Sequence, residues 1–459
     1  MTNWINVDEI RAKFSKLMSE MYQNEVPLYG DLIELVDDVN QSVLEQQTVL
    51  KAQLQQTGEL TRLSQERHGA IRLGTAEELH NMRRIFAVMG MYPVGYYDLV
   101  PAGVPVHATA FRAIQTDALN HSPFRVFTSL LRLELVDHSE LRQLAKETLA
   151  KRHIFTEKAL ALTAKHELQG GLSVDDADLF IIEVLETFRW HTHAPVTADL
   201  YQALHDQHRL IADVVAFKGP HINHLTPRTL DIDQVQNGMM GRGITPKAII
   251  EGPPRRRCPI LLRQTSFKAL QEQVIFTDQQ GSHTARFGEI EQRGVALTPK
   301  GRQLYDELLV KAQQQLGGIA TEENAAQYMQ ILEETFKAFP DCYTTLAVED
   351  LAYFYYYAQP FSTHQVWTET DLPELIHTGR VRIEPIVYED FLPVSAAGIF
   401  QSNLGGNEQT DYSSTSNQDV FEQCLGTKVF DEIQLYAHAQ QQSIEACLAT
   451  LNQSIVSKV

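Results

Sequence analysis

Positive charge is in short supply in this chain: 39 Lys and Arg stand against 58 Asp and Glu, leaving a formal net charge of -19. A phosphate backbone needs a basic face, so no nucleic-acid partner is expected. The one basic run, Pro253-Pro254-Arg255-Arg256-Arg257, is too short to reverse this and reads as a solvated turn. Cysteine is equally sparse. Cys258, Cys342, Cys424 and Cys447 show no C-x-x-C spacing, which excludes a zinc knuckle and argues for free thiols in a reducing compartment. No run reaches the roughly 18 apolar residues of a membrane helix, and Met1-Thr2-Asn3-Trp4-Ile5-Asn6 carries no basic-then-apolar leader. A soluble, cytoplasmic protein with no membrane partner is the expectation. Ser-His-Asp and Cys-His arrangements are also missing. Gly238-Met239-Met240-Gly241-Arg242-Gly243 lacks the Lys-Ser/Thr and the preceding strand of a phosphate loop.

The chain has 459 residues, 43% of them hydrophobic, enough to bury a large core. Residues 1–65 read as N-terminal helices, since Leu32, Leu35, Val36, Val39 and Val43 recur at helical spacing. Within 66–114 a strand over 66–72 precedes Thr75 and Glu78, a capping-box pattern opening a helix to about Met89. Strands then follow near Val94–Leu99 and Pro105–Phe111. Residues 115–217 carry 3.6-residue periodicity, including Phe124–Leu135, and read as a helical insertion. A second unit over 218–298 repeats the order: strand His221–Thr226, a helix from Asp231, and strands Ile260–Ser266 and His283–Gln292. The remainder, 299–459, is mixed, with helices at Gly301–Leu316, Glu322–Phe336, Val348–Tyr357 and Lys428–Leu451, a strand near Arg380–Val387 and a polar Gly/Ser-rich loop over 402–417.

Three distant segments carry the chemistry: Arg67-His68-Gly69-Ala70-Ile71-Arg72, Pro220-His221-Ile222-Asn223-His224-Leu225-Thr226-Pro227 and Phe287-Gly288-Glu289-Ile290-Glu291-Gln292-Arg293. Together they offer two histidines and a carboxylate for one open metal site, the donor set of non-haem Fe(II) oxygenases. On a strand His68 and Arg72 share a face, roughly 13 Å apart at ~3.3 Å per residue, so metal and guanidinium could bracket a ligand several carbons long. Either His221 or His224 could serve in the second segment. Glu289 and Glu291 share a face of a strand otherwise built for burial, and buried carboxylates need a cation or a salt bridge to Arg286 or Arg293. Trp190-His191-Thr192-His193 reads as a helix cap, while His107 and Arg112 flank a strand of the first unit and face either cavity or solvent.

On these residues, and on Ser282–Gly294 and Phe391-Leu392-Pro393-Val394-Ser395-Ala396-Ala397-Gly398-Ile399-Phe400, the chain resembles the vicinal-oxygen-chelate superfamily. It is most similar to the 2-oxoadipate dioxygenase/decarboxylase branch, the hydroxyglutarate synthases, over nearly its whole length. That resemblance implies an α+β fold of paired βαβββ modules enclosing a metal site, with a helical insertion and helical extensions. It implies Fe(II) held by His68, His224 and Glu289, with Glu291 the alternative acid. Arg72 matches the residue that grips the substrate's distal carboxylate, and Val394 and Ser395 match a stretch lying against the substrate. The partners implied are a 2-oxo dicarboxylic acid and O2, and the reaction an oxidative decarboxylation with internal hydroxylation that yields 2-hydroxyglutarate and CO2. A metal-dependent lyase or isomerase using no O2, or a non-catalytic metal- or ligand-binding protein, are the competing expectations.

Overall fold

In the computed structural model, residues 4–318, 320–359, 366–392 and 417–456 are described. Helices Val7–Glu25, Pro27–Gln46 and Thr48–Gln56 open the chain. Ile10, Phe14, Leu32 and Val36 on them pack with Ile71, Leu225 and Ile290, covering one face of a central sheet.

The sheet begins with β1 (Arg67–Leu73), helix Ala76–Val88, β2 (Tyr92–Asp98), β3 (Val106–Arg112) and β4 (Arg125–Leu131). Thr75 caps the helix by accepting from the Glu78 N–H, while the Glu78 carboxylate reaches back to the Gly74 N–H at 2.7 Å. The spatial order is β2-β3-β4-β1, with β4 parallel to β1 and antiparallel to β3, a complete βαβββ module. Its last strand corrects the helix expected over Phe124–Leu135. Every residue of β4 is buried. A strand covered on both faces has no need to alternate polar with apolar, so its short apolar run mimics a buried helix.

The second unit follows the same plan less regularly: β5 (His224–Pro227), helix Ile232–Met239, β6 (Leu262–Ser266), β7 (Gln271–Ile275), β8 (Gln280–Thr284) and β9 (Phe287–Arg293). Again the last strand, β9, runs parallel to the first, β5, and antiparallel to the third position, β6. The position of β2 is taken by residues 246–251, which form no strand but run along β6 through the bridges Pro246↔Phe267 and Glu251↔Gln264, and the Lys247 N–H donates to the Ser266 carbonyl at 2.8 Å. β7 and β8 form a separate hairpin inserted before β9. Thus the strand expected over His283–Gln292 is two: His283 belongs to the hairpin and Glu289 to the main sheet. The strand expected from His221 starts only at His224. β1 pairs antiparallel with β5, His68 opposite Thr226, and this junction fuses both modules into one seven-stranded sheet.

Helices Ser139–Ala150, Glu157–Gln169, Val174–Phe188, Ala198–Gln207 and Arg209–Val215 form the helical insertion. Trp190–His193, just after helix Val174–Phe188, does not simply cap it. It runs beside β7, where the Ile275 N–H donates to the Thr192 carbonyl at 2.8 Å. In the C-terminal part the helix expected over Val348–Tyr357 is replaced by β10 (Phe354–Ala358), paired with β11 (Val381–Pro385). Phe354-Tyr355-Tyr356-Tyr357 is strongly strand-favouring, and local propensity wins there. Arg256 is not solvated either: its guanidinium is buried against the carbonyls of Phe336, Phe339 and Pro340. Val394, Ser395 and the Gly/Ser-rich stretch 402–416 lie outside the described residues.

Candidate metal centre

Strand register decides which side chains meet. His68 lies opposite Thr226 on β5, and His224 lies beside Phe287 on β9, so His68, His224, Thr226, Glu289 and Glu291 share one face. Arg125 and Phe127 of β4 sit beside His68 and Ala70 on that same face. Gly69, on the reverse face, permits the close approach of Ile222, whose Cδ1 would lie 2.6 Å from an added Cβ.

The donor atoms of His68, His224 and Glu289 converge to within 4.8 Å of one another, the one such group among the described residues. Glu289 Oε2 lies 3.1 Å from His68 Nε2 and 3.2 Å from His224 Nε2. Bonds of ~2.1 Å at right angles around one ion would separate donors by roughly 3.0 Å. All three side chains are at most 7% exposed, and Glu289 Oε1 is buried with no hydrogen-bond partner. Burial holds His224 down at about 4, its neighbouring acids only partly countering this, so the imidazole is neutral and its lone pair available. Burial alone would raise the Glu289 carboxyl, but His224, His68 and the Thr226 hydroxyl bring it below its ordinary value. A neutral imidazole and an ionised carboxylate are what a divalent cation requires. The Thr226 hydroxyl donates to Glu289 Oε2 at 2.8 Å.

Glu291 plays a different part from Glu289. Its Oε2 lies 2.9 Å from His68 Nδ1, the ring nitrogen turned away from the shared donor point. It is also 2.7 Å from Arg293 and, through Oε1, 3.3 Å from Arg125. Burial favours its neutral form, but Arg293, His68 and Arg125 overcome this and hold it at about 2. A carboxylate on the far ring nitrogen of a ligating histidine fixes its tautomer and orientation. Behind Glu291 the alternation of charge continues. Glu66 contacts Arg125 at 2.7 Å, Arg228 at 3.1 Å and Arg62 at 3.2 Å, and Arg62 reaches Glu389 at 2.9 Å. Glu389 is also bonded to Arg125. Glu389 comes from the C-terminal part, as does Phe391, whose ring packs edge-on against His68 at 4.9 Å.

Arg72 is buried, on the ligand face of β1, and its Nη1 donates to Asp213 Oδ2 at 2.6 Å. Asp213 Oδ1 in turn lies 2.9 Å from His283 Nε2 and 3.4 Å from His221 Nε2. His221 therefore belongs to the Arg72 side and not to the converging donors. Arg286 pairs with Glu25 and Glu272, leaving Arg293 as the partner of Glu291. His107 is buried on the reverse face against Tyr96 and Phe421, and Arg112 pairs with Asp390. Sequence reading missed Asp213, Thr226, Arg125, Glu389 and Phe391 as neighbours of the centre. Thr226 alone had a usable signal, its two-residue spacing from His224; the others arrive from elements whose packing no local pattern announces.

A sequence profile described as 2-oxoadipate dioxygenase/decarboxylase matches residues 14–403. A 2-oxoadipate dioxygenase/decarboxylase of Pseudomonas putida is 60% identical over 456 residues, 98% of either chain. That of Escherichia coli is 56% identical over 451 residues, 97% of this chain and 99% of the other. Among solved structures, the hydroxyglutarate synthase of Pseudomonas putida in complex with 2-oxoadipate superimposes with a TM-score of 0.91 at 57% identity, covering 98% of this chain and 100% of that one.

Proposed function

The chain belongs to the 2-oxoadipate dioxygenase/decarboxylase family, and on that basis we propose that it converts 2-oxoadipate and O2 to 2-hydroxyglutarate and CO2 at an Fe(II) held by His68, His224 and Glu289. The observation that carries this reading is the convergence of those three donors on one buried point, in a chain that superimposes over nearly its full length on a relative solved with 2-oxoadipate. The equation balances without a co-reductant, because loss of the carboxyl carbon as CO2 supplies the electrons. Bound Fe(II) would supply Lewis-acid and redox chemistry toward the 2-oxo acid and O2, and two His with one acid leave positions open for both.

The chain's own residues then have separable tasks. Glu291, anchored by Arg125 and Arg293, keeps the His68 ring turned so that Nε2 faces the ion. Thr226 holds Glu289 by its Oε2. Phe391, packed on His68, and Phe127, its ring 5.2 Å from that of Phe391, form an apolar wall that limits water at the centre. Arg72 binds the distal carboxylate in a planar two-point contact and sets which carbon of the substrate faces the ion. Val394 and Ser395 line the same substrate in this reading.

The test is direct. Fe(II)-loaded protein given 2-oxoadipate is expected to consume O2 and release CO2 in equal amounts, with 2-hydroxyglutarate as the product. Turnover of the substrate with no O2 uptake would assign the chain to the lyase or isomerase chemistry instead.

A further inference from the structure

Arg72 is held from outside its own module. Its partner Asp213 comes from helix Arg209–Val215 of the helical insertion. Behind Asp213, His283 of the β7–β8 hairpin donates from Nε2 to Oδ1 at 2.9 Å, and the Tyr201 hydroxyl of helix Ala198–Gln207 closes the chain at 2.8 Å from His283 Nδ1. Asp213, His221 and His283 are each no more than 4% exposed. Trp190 closes one side, its ring plane within 4° of the His283 ring and perpendicular to His221. The path Tyr201–His283–Asp213–Arg72 therefore draws together the insertion, the hairpin and β1, three elements with no sequence proximity.

Such a relay has a physical purpose. An arginine side chain has many rotamers, and a guanidinium that must meet a carboxylate at a set distance from a metal gains from losing that freedom before substrate arrives. One carboxylate oxygen of Asp213 takes Nη1 of Arg72, and the other is tied to His283, so the carboxylate cannot swing with the arginine. A lone Asp would also neutralise the charge that substrate needs. Sharing Asp213 with two imidazoles moderates that competition.

We propose that Asp213, braced by His283 and Tyr201, is the positioning residue that presets Arg72, so that the helical insertion and the hairpin determine how strongly a distal carboxylate is recognised. This rests on the reading of Arg72 as that carboxylate's partner, and the test separates the two. The quantity measured is the ratio of kcat/KM for 2-oxoadipate to that for 2-oxohexanoate, a chain of equal length without the distal charge, on Fe(II)-loaded enzyme.

Arg72→Ala is expected to collapse the ratio, and Asp213→Asn to lower it about tenfold, the scale of one charge-assisted hydrogen bond. His283→Gln should lower it less. In the double variant Arg72→Ala/Asp213→Asn the ratio should be no lower than in Arg72→Ala alone, because the two act through one contact. A merely structural role would lower both substrates together and leave the ratio at the wild-type value. That result in Asp213→Asn and His283→Gln, with Arg72→Ala still collapsing the ratio, overturns the proposal. A wild-type ratio in Arg72→Ala overturns instead the reading beneath it. Should Asp213→Asn not accumulate as folded protein, His283→Gln and Tyr201→Phe carry the test, and an unchanged ratio in both overturns the proposal equally.

Discussion

The two modules share a plan and differ in regularity. In the first, all four strands are seven residues long and paired along their length apart from one register shift in β2 between Val94 and Tyr97. In the second, the first strand has four residues, the edge position is reduced to two bridges, and a hairpin interrupts the approach to β9. Yet the irregular module brings two of the three converging donors, His224 and Glu289, and the regular one brings only His68. The difference teaches that a rigid module can serve as the reference against which a looser one is positioned. β1 carries both His68 and Arg72 on a strand whose spacing cannot change, so under the proposed function one element would set the distance from ion to distal carboxylate. The second module is free to carry insertions because its two donors lie on the strands nearest the junction.

Breaking the second module's donors tests this contrast most severely. Glu289→Ala or His224→Ala should leave the protein folded and remove both bound iron and O2 uptake, read by metal analysis and an oxygen electrode. Retention of a full equivalent of iron in both variants would sink the assignment. The first module should respond differently to loss of its buried charge. Arg125→Ala strands Glu66, Glu291 and Glu389 without a shared cation, and removing one partner of a buried ion pair costs ~3–5 kcal/mol. Urea unfolding should register it, whereas an unchanged midpoint would mean that the cluster contributes little to holding the modules together.

Subtler changes sharpen the comparison. Arg72→Ala should raise KM for 2-oxoadipate at least about tenfold, from the loss of one charge-assisted contact, with iron content unchanged. Iron loss in that variant would contradict the separation of tasks along β1. Glu291→Gln should weaken iron binding by ~10–100-fold without emptying the site at saturating metal. Acid provides a further probe of the same cluster. Glu291 and Glu389 are each held at about 2 in the folded protein against an ordinary 4.5. Depressed carboxylates bind protons more readily in the unfolded chain, so their stabilisation is present in full above about pH 4.5 and is lost as pH falls toward 2. Chemical denaturation at successive pH values should show that loss, and Glu291→Gln should flatten it. The smallest effect expected is from Thr226→Val, which removes one hydrogen bond to Glu289 and should cost ~1 kcal/mol in iron affinity.

Much of the centre was legible from residue order. The shared face of His68 and Arg72 follows from strand alternation, and the helix after Thr75 follows from its cap. The residues alone did not separate Glu289 from Glu291, because both point to the same side of β9; only the family resemblance favoured Glu289. Register across three strands separates them: Thr226 and both imidazoles meet Glu289, while Arg125 and Arg293 claim Glu291. His221 and His224 would fall on opposite faces of a strand, so the residues alone left the choice open; the family resemblance favoured His224, and Asp213 draws His221 away. β4 escaped because a strand buried on both faces loses the alternation by which strands are recognised.

Local order along the chain, then, was sufficient to nominate the ligand types, the strands that bear them and the arginine beside them, since side-chain direction within a strand depends only on neighbours one and two residues away. Beyond what the family resemblance implied, tertiary structure decided which acid faces the histidines, which histidine joins them, and that Arg72 is anchored from the helical insertion. Those outcomes depend on contacts spanning 141 residues in the case of Arg72 and Asp213, and 221 in the case of His68 and Glu289. Closure over such distances is governed by packing of the whole core, which no window of sequence contains.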